Sequence, residues 1–235
     1  MAFKKQLSVT GEQQLNQTKK EIIVNSIRAA LGLMFFALGT YLVIQANIGA
    51  APWDVFALGL AKTLNILYGN ASVIIAFTLI CIDLLCKEKI GLGTLIDAVV
   101  VGKTVDLLNW IGLVGTEHSL VVSIVMMLAG FFIMGYGQYL YMRVGLSYGP
   151  RDSFQMALGR RMPKIPIGVV NIFILIVVLA IGYFLGGPIG IGTLLSPIGV
   201  GLMQQLAFNI RHFEPKDIKQ QSVIESCKIL FGNGR

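Results

Sequence analysis

The chain has 235 residues, of which 55% are hydrophobic and 13% are charged, and its mean hydropathy is +0.74. Because a soluble domain carries roughly 25% charged residues, this composition excludes an ordinary soluble globular protein. The net charge of +7 comes without any nucleic-acid-binding motif, so no nucleic acid is expected, and anionic lipid headgroups are the simpler partners for the cations.

Six apolar runs are long enough to span a membrane, since a helix needs about 20 apolar residues to cross a hydrocarbon core of roughly 30 Å. The predicted spans are residues 28–48, 69–86, 92–112, 119–143, 166–186 and 189–210. Residues 1–27 form a polar N-terminal tail and residues 211–235 a basic C-terminal tail, both expected in the cytoplasm. The sequence therefore predicts an all-α membrane protein with about six transmembrane helices.

Two shorter apolar segments interrupt the series of spans, at residues 52–62 and 149–161. The first ends near Lys62 and the second at Arg160 and Arg161. At a rise of 1.5 Å per residue, such a helix reaches about half-way through the bilayer. Each segment either enters the membrane and returns, as a re-entrant helix, or lies at the interface.

The two halves of the chain, residues 28–112 and 119–210, repeat each other in sequence. At an offset of 98 positions Pro52 and Asp54 match Pro150 and Asp152, and a Gly-x-Gly-Thr motif recurs at an offset of 99. Shared Pro, Asp and Gly at fixed offsets indicate an internal repeat far better than shared Leu or Ile does. With three spans in each half, the second half would be inserted upside down, as in the inverted repeats of many secondary transporters.

The distribution of cations predicts the orientation, because short cytoplasmic loops are enriched in Lys and Arg. A six-span arrangement with both termini inside leaves Lys62 outside. Besides the tails it places these cations in cytoplasmic segments: Lys87, Lys89, Arg143, Arg151, Arg160, Arg161 and Lys164. An eight-span arrangement would put Lys87, Lys89, Arg143 and Arg151 outside and is disfavoured.

Three segments carry a resemblance to a known family. They are Gly-Ala-Ala-Pro-Trp-Asp-Val at residues 49–55, Gly-Pro-Arg-Asp at 149–152 and Leu-Gly-Gly-Pro-Ile-Gly-Ile-Gly-Thr at 185–193. Together they resemble the YczE/YyaS/YitT-like family of bacterial membrane proteins, most closely its YczE branch, over about residues 30–210. The resemblance implies a multi-pass protein of the bacterial plasma membrane and supplies no substrate or catalytic residue.

Each short segment begins with Pro-x-Asp, as Pro52 and Asp54 or as Pro150 and Asp152. Proline suits the first turn of a helix, and an aspartate two residues later meets the free N–H groups there, so helix capping is a sufficient role. Alternatively, both carboxylates also face a central cavity and bind a proton or a cation, because ionisable groups at membrane depth are costly. The residues between them are expected at opposite interfaces, Trp53 at the outer one and Arg151 at the inner one.

The repeated Gly-x-Gly-Thr motif lies where a turn enters a span, as Gly91, Gly93 and Thr94 and as Gly190, Gly192 and Thr193. Glycine lets two backbones approach closely, and the threonine is expected to cap the helix. An architectural role is favoured, and an anion bound at the helix N-terminus is the functional alternative.

The halves differ most in the third span, which carries Asp97, Lys103 and Asp106 where its counterpart has Ser196, Leu202 and Gln205. Lys103 and Asp106 share one helix face and are expected to form an ion pair. The pair either lies near the outer end of the helix, with the lysine extending to the interface, or belongs with Asp97 to a polar substrate or ion pathway. Asp83, one turn before Lys87, is expected to pair with it at the cytoplasmic interface.

No enzyme motif, metal-ligand spacing or cofactor signature is present, so we expect no catalysis, no metal and no cofactor. The leading hypothesis is a secondary transporter of an unidentified small molecule, with its site at the interface of the two repeats. The alternative is a membrane accessory protein that binds another complex through its basic cytoplasmic face. The sequence carries no signal for the oligomeric state.

Overall fold

The computed structural model describes residues 19–88, 90–117, 119–146, 148–214, 218 and 221–231. Residues 1–18 of the predicted N-terminal tail, Lys89, and residues 215–217, 219–220 and 232–235 of the predicted C-terminal tail lie outside the described residues. The helices are α1 (Lys19–Gln45), α2 (Pro52–Leu64), α3 (Tyr68–Leu85), α4 (Leu92–Ile111), α5 (Leu120–Met142), α6 (Pro150–Arg161), α7 (Ile167–Phe184), α8 (Ile191–Ile210) and α9 (Val223–Phe231). The predicted all-α fold is confirmed.

Five of these helices, α1, α3, α5, α7 and α8, are long and apolar enough to cross a membrane. The remaining predicted span is α4, which has 20 residues but carries Asp97, Lys103 and Asp106. These charges lower its apolar character, so the count of six spans stays a prediction. The structure also extends the first helix back to Lys19, into the predicted N-terminal tail.

The antiparallel pair α1 and α5 forms the centre of the fold. A Cβ atom on Gly39 would lie 2.5 Å from the carbonyl oxygen of Gly130, and one on Gly137 would lie 2.8 Å from that of Gly32. Only glycine permits two helix backbones to approach this closely. Because Gly32 and Gly130, like Gly39 and Gly137, are 98 positions apart, the same contact is made twice.

We call positions related by the offset of 98 or 99 equivalent, and most of the packing of the other helices follows this equivalence. Among the described residues, the extensive contact of α3 with α4 has no comparable counterpart between α7 and α8. Helix α1 packs against α4 as α5 packs against α8, and α2 packs against α7 as α6 packs against α3. The backbone shows the same exchange, because the Gly192 N–H donates to the Ile48 oxygen at 2.7 Å and the Gly93 N–H donates to the Leu146 oxygen at 2.8 Å. Each half therefore completes its packing with helices of the other half.

The short helices α2 and α6 begin at the centre of the molecule and end at opposite faces. Their first turns meet, with Arg151 Nη1 3.4 Å from Asp54 Oδ1. Helix α2 ends where Lys62 lies beside Gly186, after α7, whereas α6 ends where Arg160 pairs with Glu88, after α3. This geometry favours the re-entrant alternative, which stays a prediction.

The threonines of the Gly-x-Gly-Thr motifs do not occupy the predicted capping position. Gly91 precedes α4 and Gly190 precedes α8, so each threonine is the third residue of its helix. Thr94 Oγ1 accepts the Gly91 N–H at 3.3 Å, and Thr193 Oγ1 accepts the Gly190 N–H at 3.2 Å. The capping prediction was wrong because each threonine lies inside its helix. Its hydroxyl accepts a hydrogen bond from the N–H of the glycine that precedes the helix.

Candidate functional site

A cavity of about 300 Å³ lies between the two halves of the chain, and we call it the central cavity. The first turns of α2 and α6 form part of its wall, and side chains from α1, α3, α4, α5, α7 and α8 complete it. It is within the size range of small-molecule sites, although at the lower end. The central cavity thus lies where the transport hypothesis requires a binding site.

Most positions that line the central cavity come in equivalent pairs, one from each half. The pairs include Phe36 and Met134, Pro52 and Pro150, Asp54 and Asp152, Ser72 and Asn171, Asp97 and Ser196, and Val101 and Val200. Both Pro-x-Asp motifs therefore reach one site, although 98 positions separate them. The chemical differences within the pairs make this site asymmetric.

Asp54 is almost completely buried, with 1% of its surface exposed. The Tyr68 hydroxyl donates to Asp54 Oδ1 at 2.9 Å, and Arg151 Nη1 lies 3.4 Å from the same oxygen. These partners come from α3 and from α6, so the carboxylate joins the two halves. Because its partners are side chains of other helices, Asp54 joins α2 to α3 and α6.

Asp152 and Asp97 reach the central cavity beside Tyr141. The Tyr141 hydroxyl donates to Asp152 Oδ2 at 3.2 Å and accepts the Gly149 N–H, also at 3.2 Å. Asp97 Oδ2 lies against the Cα of Gly149, where a side chain larger than hydrogen would collide with it. Three of the predicted pathway residues, Asp54, Asp97 and Asp152, thus converge on one cavity.

Arg151 is the one cation among the described residues that line the central cavity. Its guanidinium carbon lies 5.5 Å from the centroid of the Trp53 ring, and it also contacts Asp54. The prediction that Trp53 and Arg151 lie at opposite interfaces is wrong, because the first turns of both short helices meet at the centre. Three carboxylates and one guanidinium give the cavity an excess of acidic groups. Among the described residues, no cluster of His, Cys, Asp and Glu is arranged to hold a metal ion.

Lys103 and Asp106 lie away from the central cavity and bind the start of α3. Lys103 Nζ donates to Asn70 Oδ1 at 2.6 Å, and the Gly69 N–H donates to Asp106 Oδ1 at 2.7 Å. These contacts replace the predicted ion pair, because the start of α3 offers each group a nearer partner. The second carboxylate oxygen of Asp106 is buried without a hydrogen-bond partner among the described residues.

Asp83 also departs from its predicted pairing with Lys87. Its carboxylate is fully buried, and neither oxygen has a hydrogen-bond partner within the described part of the chain. Lys87 follows the end of α3 in the left-handed conformation, with φ of 58°. The regular helical turn that would place the two side chains on one face therefore ends before the lysine.

Several polar residues of the central cavity were not predicted as site residues. They are Ser72, Gln138, Tyr141, Gln155, Asn171, Ser196 and Gln204. All are uncharged, and they lie within or beside apolar runs. A search for uncharged polar residues inside the predicted spans, in addition to charged ones, would have found most of them.

A second cavity of about 340 Å³, which we call the apolar groove, lies between α2, α3, α6 and α7. Its walls again contain equivalent pairs, namely Phe56 and Phe154, Leu60 and Leu158, Ile75 and Ile174, and Leu79 and Val178. Thr78 is an exception to its otherwise apolar and aromatic lining. Trp53 lines both the apolar groove and the central cavity.

Comparison with known proteins assigns this architecture to a family. Residues 23–209, which include the lining of both cavities, match the model of a family described as "Family of unknown function (DUF6198)". The chain belongs to this family. It is an integral membrane protein, in agreement with its five apolar helices and with the name of a relative, a membrane protein of Bacillus subtilis.

Three relatives of this DUF6198 member come from two bacteria. The "Uncharacterized membrane protein YczE" of Bacillus subtilis (strain 168) is 30% identical over 187 residues, which cover 79% of this chain and 86% of the relative. The "Uncharacterized protein YyaS" of the same organism is 29% identical over 193 residues, 80% and 94% of the two chains. An "Uncharacterized protein" of Haemophilus influenzae is 29% identical over 178 residues, 76% and 80% of the two chains. The predicted resemblance to YczE and YyaS is confirmed, and no solved structure matches the chain.

Proposed function

We propose that this protein is a secondary transporter whose small-molecule substrate binds in the central cavity. The observation that carries the proposal is the convergence of both Pro-x-Asp turns on one polar cavity between the two halves. In many secondary transporters, broken helices of two inverted repeats form the substrate site at their interface. That likeness is an analogy of architecture, and the chemical argument comes from the residues of the cavity.

The packing of the chain supports an inverted-topology repeat. The centre is an antiparallel helix pair with the same glycine contact made twice, and α2 and α6 run from the centre to opposite faces. A rotation that superposes one half on the other would therefore also exchange the two faces of the membrane. Rocking one half against the other would open the cavity to each side in turn.

We also propose that both termini face the cytoplasm of a bacterial cell and that the protein lies in the plasma membrane. Arg160 pairs with Glu88 at 2.7 Å, and Arg161 Nη2 donates to the Cys86 oxygen at 2.9 Å, so the end of α6 and the end of α3 share one face. Lys62, in the last turn of α2, lies at the other face. The face richer in arginine is the cytoplasmic one by the positive-inside rule, and its exposed cations would contact anionic lipids.

The composition of the central cavity favours a ligand that carries positive charge. Asp54 is held by Arg151 and Tyr68, whereas Asp152 has one side-chain hydrogen-bond partner among the described residues, Tyr141. Asp97 lines the same cavity beside Gly149. Carboxylates in a membrane protein are costly unless they are paired, so a proton, a metal cation or a cationic substrate would stabilise this site.

The accessory-protein alternative depends on free basic groups at the cytoplasmic face, and several of these groups have partners inside the chain. Arg143 Nη1 and Arg211 Nε both donate to the Tyr139 hydroxyl, at 3.1 and 3.4 Å. Arg160 and Arg161 are engaged at the end of α3. These contacts leave fewer donors for a protein partner, so the geometry favours transport.

Metabolite profiling of matched strains tests the proposal. We expect a solute whose cellular level changes in opposite directions when the protein is deleted and when it is overproduced. Asp97→Asn should abolish this change with normal folded yield, because the amide has the shape of the carboxylate without its charge. Lys103→Gln is the matched control on the same helix and should keep full activity, since Lys103 is exposed and remote from the cavity. Unchanged solutes together with a stably bound partner protein would contradict transport and favour the accessory role.

A further inference from the structure

The guanidinium of Arg151 lies where two cation-binding groups meet. Its Cζ atom is 5.5 Å from the centroid of the Trp53 ring, and its Nη1 atom is 3.4 Å from Asp54 Oδ1. An aromatic face beside a carboxylate is an arrangement that also binds ammonium groups. The distance to Asp54 is longer than a strong charge-assisted hydrogen bond, which is about 2.7–2.9 Å. A free cation could therefore take the place of this side chain.

The remaining groups of the central cavity suit a positively charged head. The N-termini of α2 and α6 each contribute a partial charge of about +0.5. Together with Arg151 these partial charges leave an excess of about one negative charge when Asp54, Asp97 and Asp152 are ionised. Ser72, which is 7% exposed, adds a hydroxyl-bearing side chain to the lining of the cavity.

The apolar groove lies beside the central cavity, along the same two short helices. Trp53 lines both spaces, and Phe56 and Leu60 of α2 lie on its helix face, three and seven residues further on. From Trp53 to Leu60 a helix rises about 10 Å. Phe154 and Leu158 of α6 provide the equivalent wall, on the helix face of Arg151. A molecule that reaches from Trp53 along the groove therefore has charged groups at one end and hydrocarbon at the other.

We propose that the substrate is an amphipathic cation, an alkylammonium whose charged head replaces the Arg151 guanidinium at Trp53 and Asp54 and whose hydrocarbon chain lies in the apolar groove. In the empty protein Arg151 is a tethered substitute for the head. On displacement, its charge is balanced by Asp97 or Asp152, which line the same cavity. This assignment of a substrate class rests on the proposed transport function, although binding can be tested without transport.

Trp53 itself provides the measurement, because the chain contains two tryptophans, Trp53 and Trp110. Trp110 is 85% exposed at the end of α4, so Trp110→Phe is mild and leaves Trp53 as the single tryptophan. Purified protein in maltoside micelles is titrated with octyltrimethylammonium chloride, tetramethylammonium chloride, sodium octanoate and octanol, and Trp53 fluorescence is recorded. We expect octyltrimethylammonium to bind at least about tenfold more tightly than the head alone, the tail alone or the anion.

Three substitutions, each made in the Trp110→Phe protein, test where the charged head and the hydrocarbon chain of the ligand bind. Val177→Phe adds a ring at the groove wall and should weaken octyltrimethylammonium binding without changing tetramethylammonium binding. Ile176→Phe is its matched control, because the neighbouring Ile176 is exposed and does not line the groove. Arg151→Gln removes the tethered competitor and should tighten binding of both ammonium compounds. The thermal unfolding midpoint of each variant shows whether it is folded.

Two results would overturn the ligand class: tighter binding of octanoate than of octyltrimethylammonium, or equal binding of all octyl compounds with no effect of Val177→Phe. The first would make Arg151 an anion receptor, and the second would mean partition into the micelle. Proteoliposome uptake separates this proposal from the proposed function. The expected binding without uptake would support the ligand site and contradict transport. Uptake of another solute, without ammonium binding, would contradict the ligand class alone.

Discussion

Helix α4 uses its charged residues in two different ways, at the central cavity and at the contact with α3. Asp97 lines the cavity beside Gly149, whereas Lys103 and Asp106 bind Asn70 and Gly69 at the start of α3. A charged side chain that joins two helices has its partner within the chain. A charged side chain in a binding site must still be able to bind a ligand. The difference indicates that, on this helix, the partner of each charged side chain, and not its charge alone, distinguishes the cavity residue from the two residues that join α4 to α3.

The largest effect is expected from breaking the buried contact between the halves at the cavity. Arg151→Leu leaves Asp54 buried without its cation and should lower the free energy of unfolding by about 3 kcal/mol. Asp152→Ala, at the equivalent aspartate, loses one tyrosine hydrogen bond and should lower it by only about 1 kcal/mol. Folded yield and the unfolding midpoint of the two purified variants check this order. Equal losses would mean that Asp54 and Asp152 have the same structural role, against the asymmetry described here.

A smaller effect is expected at the contact between α3 and α4. Asp106→Ala removes the acceptor of the Gly69 N–H and should lower the free energy of unfolding by about 1–2 kcal/mol. Lys103→Met, at an exposed position, should change it by less than about 0.5 kcal/mol. In a double-mutant cycle the two effects should add within about 0.5 kcal/mol, because the residues have different partners. A coupling energy well above this value would restore the ion pair predicted from the sequence.

The smallest effect on stability is expected for Asp97, the residue of α4 that lines the central cavity. Asp97→Asn keeps the shape of the side chain and should leave the unfolding midpoint within the range of neutral surface substitutions, about 0.5 kcal/mol. The same variant should lose solute transport. An Asp97→Asn variant that transports normally would show that Asp97 is not part of the site. A variant that fails to fold would show that Asp97 has a structural role, like Asp106.

The repeat offset predicted more of the site than any single motif did. It matched Pro52 and Asp54 with Pro150 and Asp152, and both pairs line one cavity. The apolar groove also follows the offset, but apolar residues in a membrane protein give no sign of whether they face lipid or a cavity. The glycine contact between α1 and α5 likewise could not be predicted, because the sequence does not show which faces of these two helices meet.

Pairings were the weakest predictions, for a physical reason. Spacing along one helix shows only which residues share a face, as with Lys103 and Asp106. Their actual partners lie 33 and 37 positions away, at Asn70 and Gly69. The contact of Arg151 with Asp54 spans 97 positions and depends on the meeting of the first turns of α2 and α6. Such contacts follow from tertiary packing, which local spacing does not specify.

Thiol labelling of Ser72→Cys tests the central claim, that the cavity between the halves is a solute site reached from both sides of the membrane. Cys81, Cys86 and Cys227 are first replaced, and a membrane-impermeant reagent is applied to intact cells and to inside-out vesicles. Gly115→Cys, at an open position, is the external control, and Lys164→Cys is the cytoplasmic one. We predict that Ser72→Cys is labelled in both preparations while each control is labelled in only one. A Ser72→Cys variant that is labelled in neither preparation, with both controls reacting as expected, would contradict the claim.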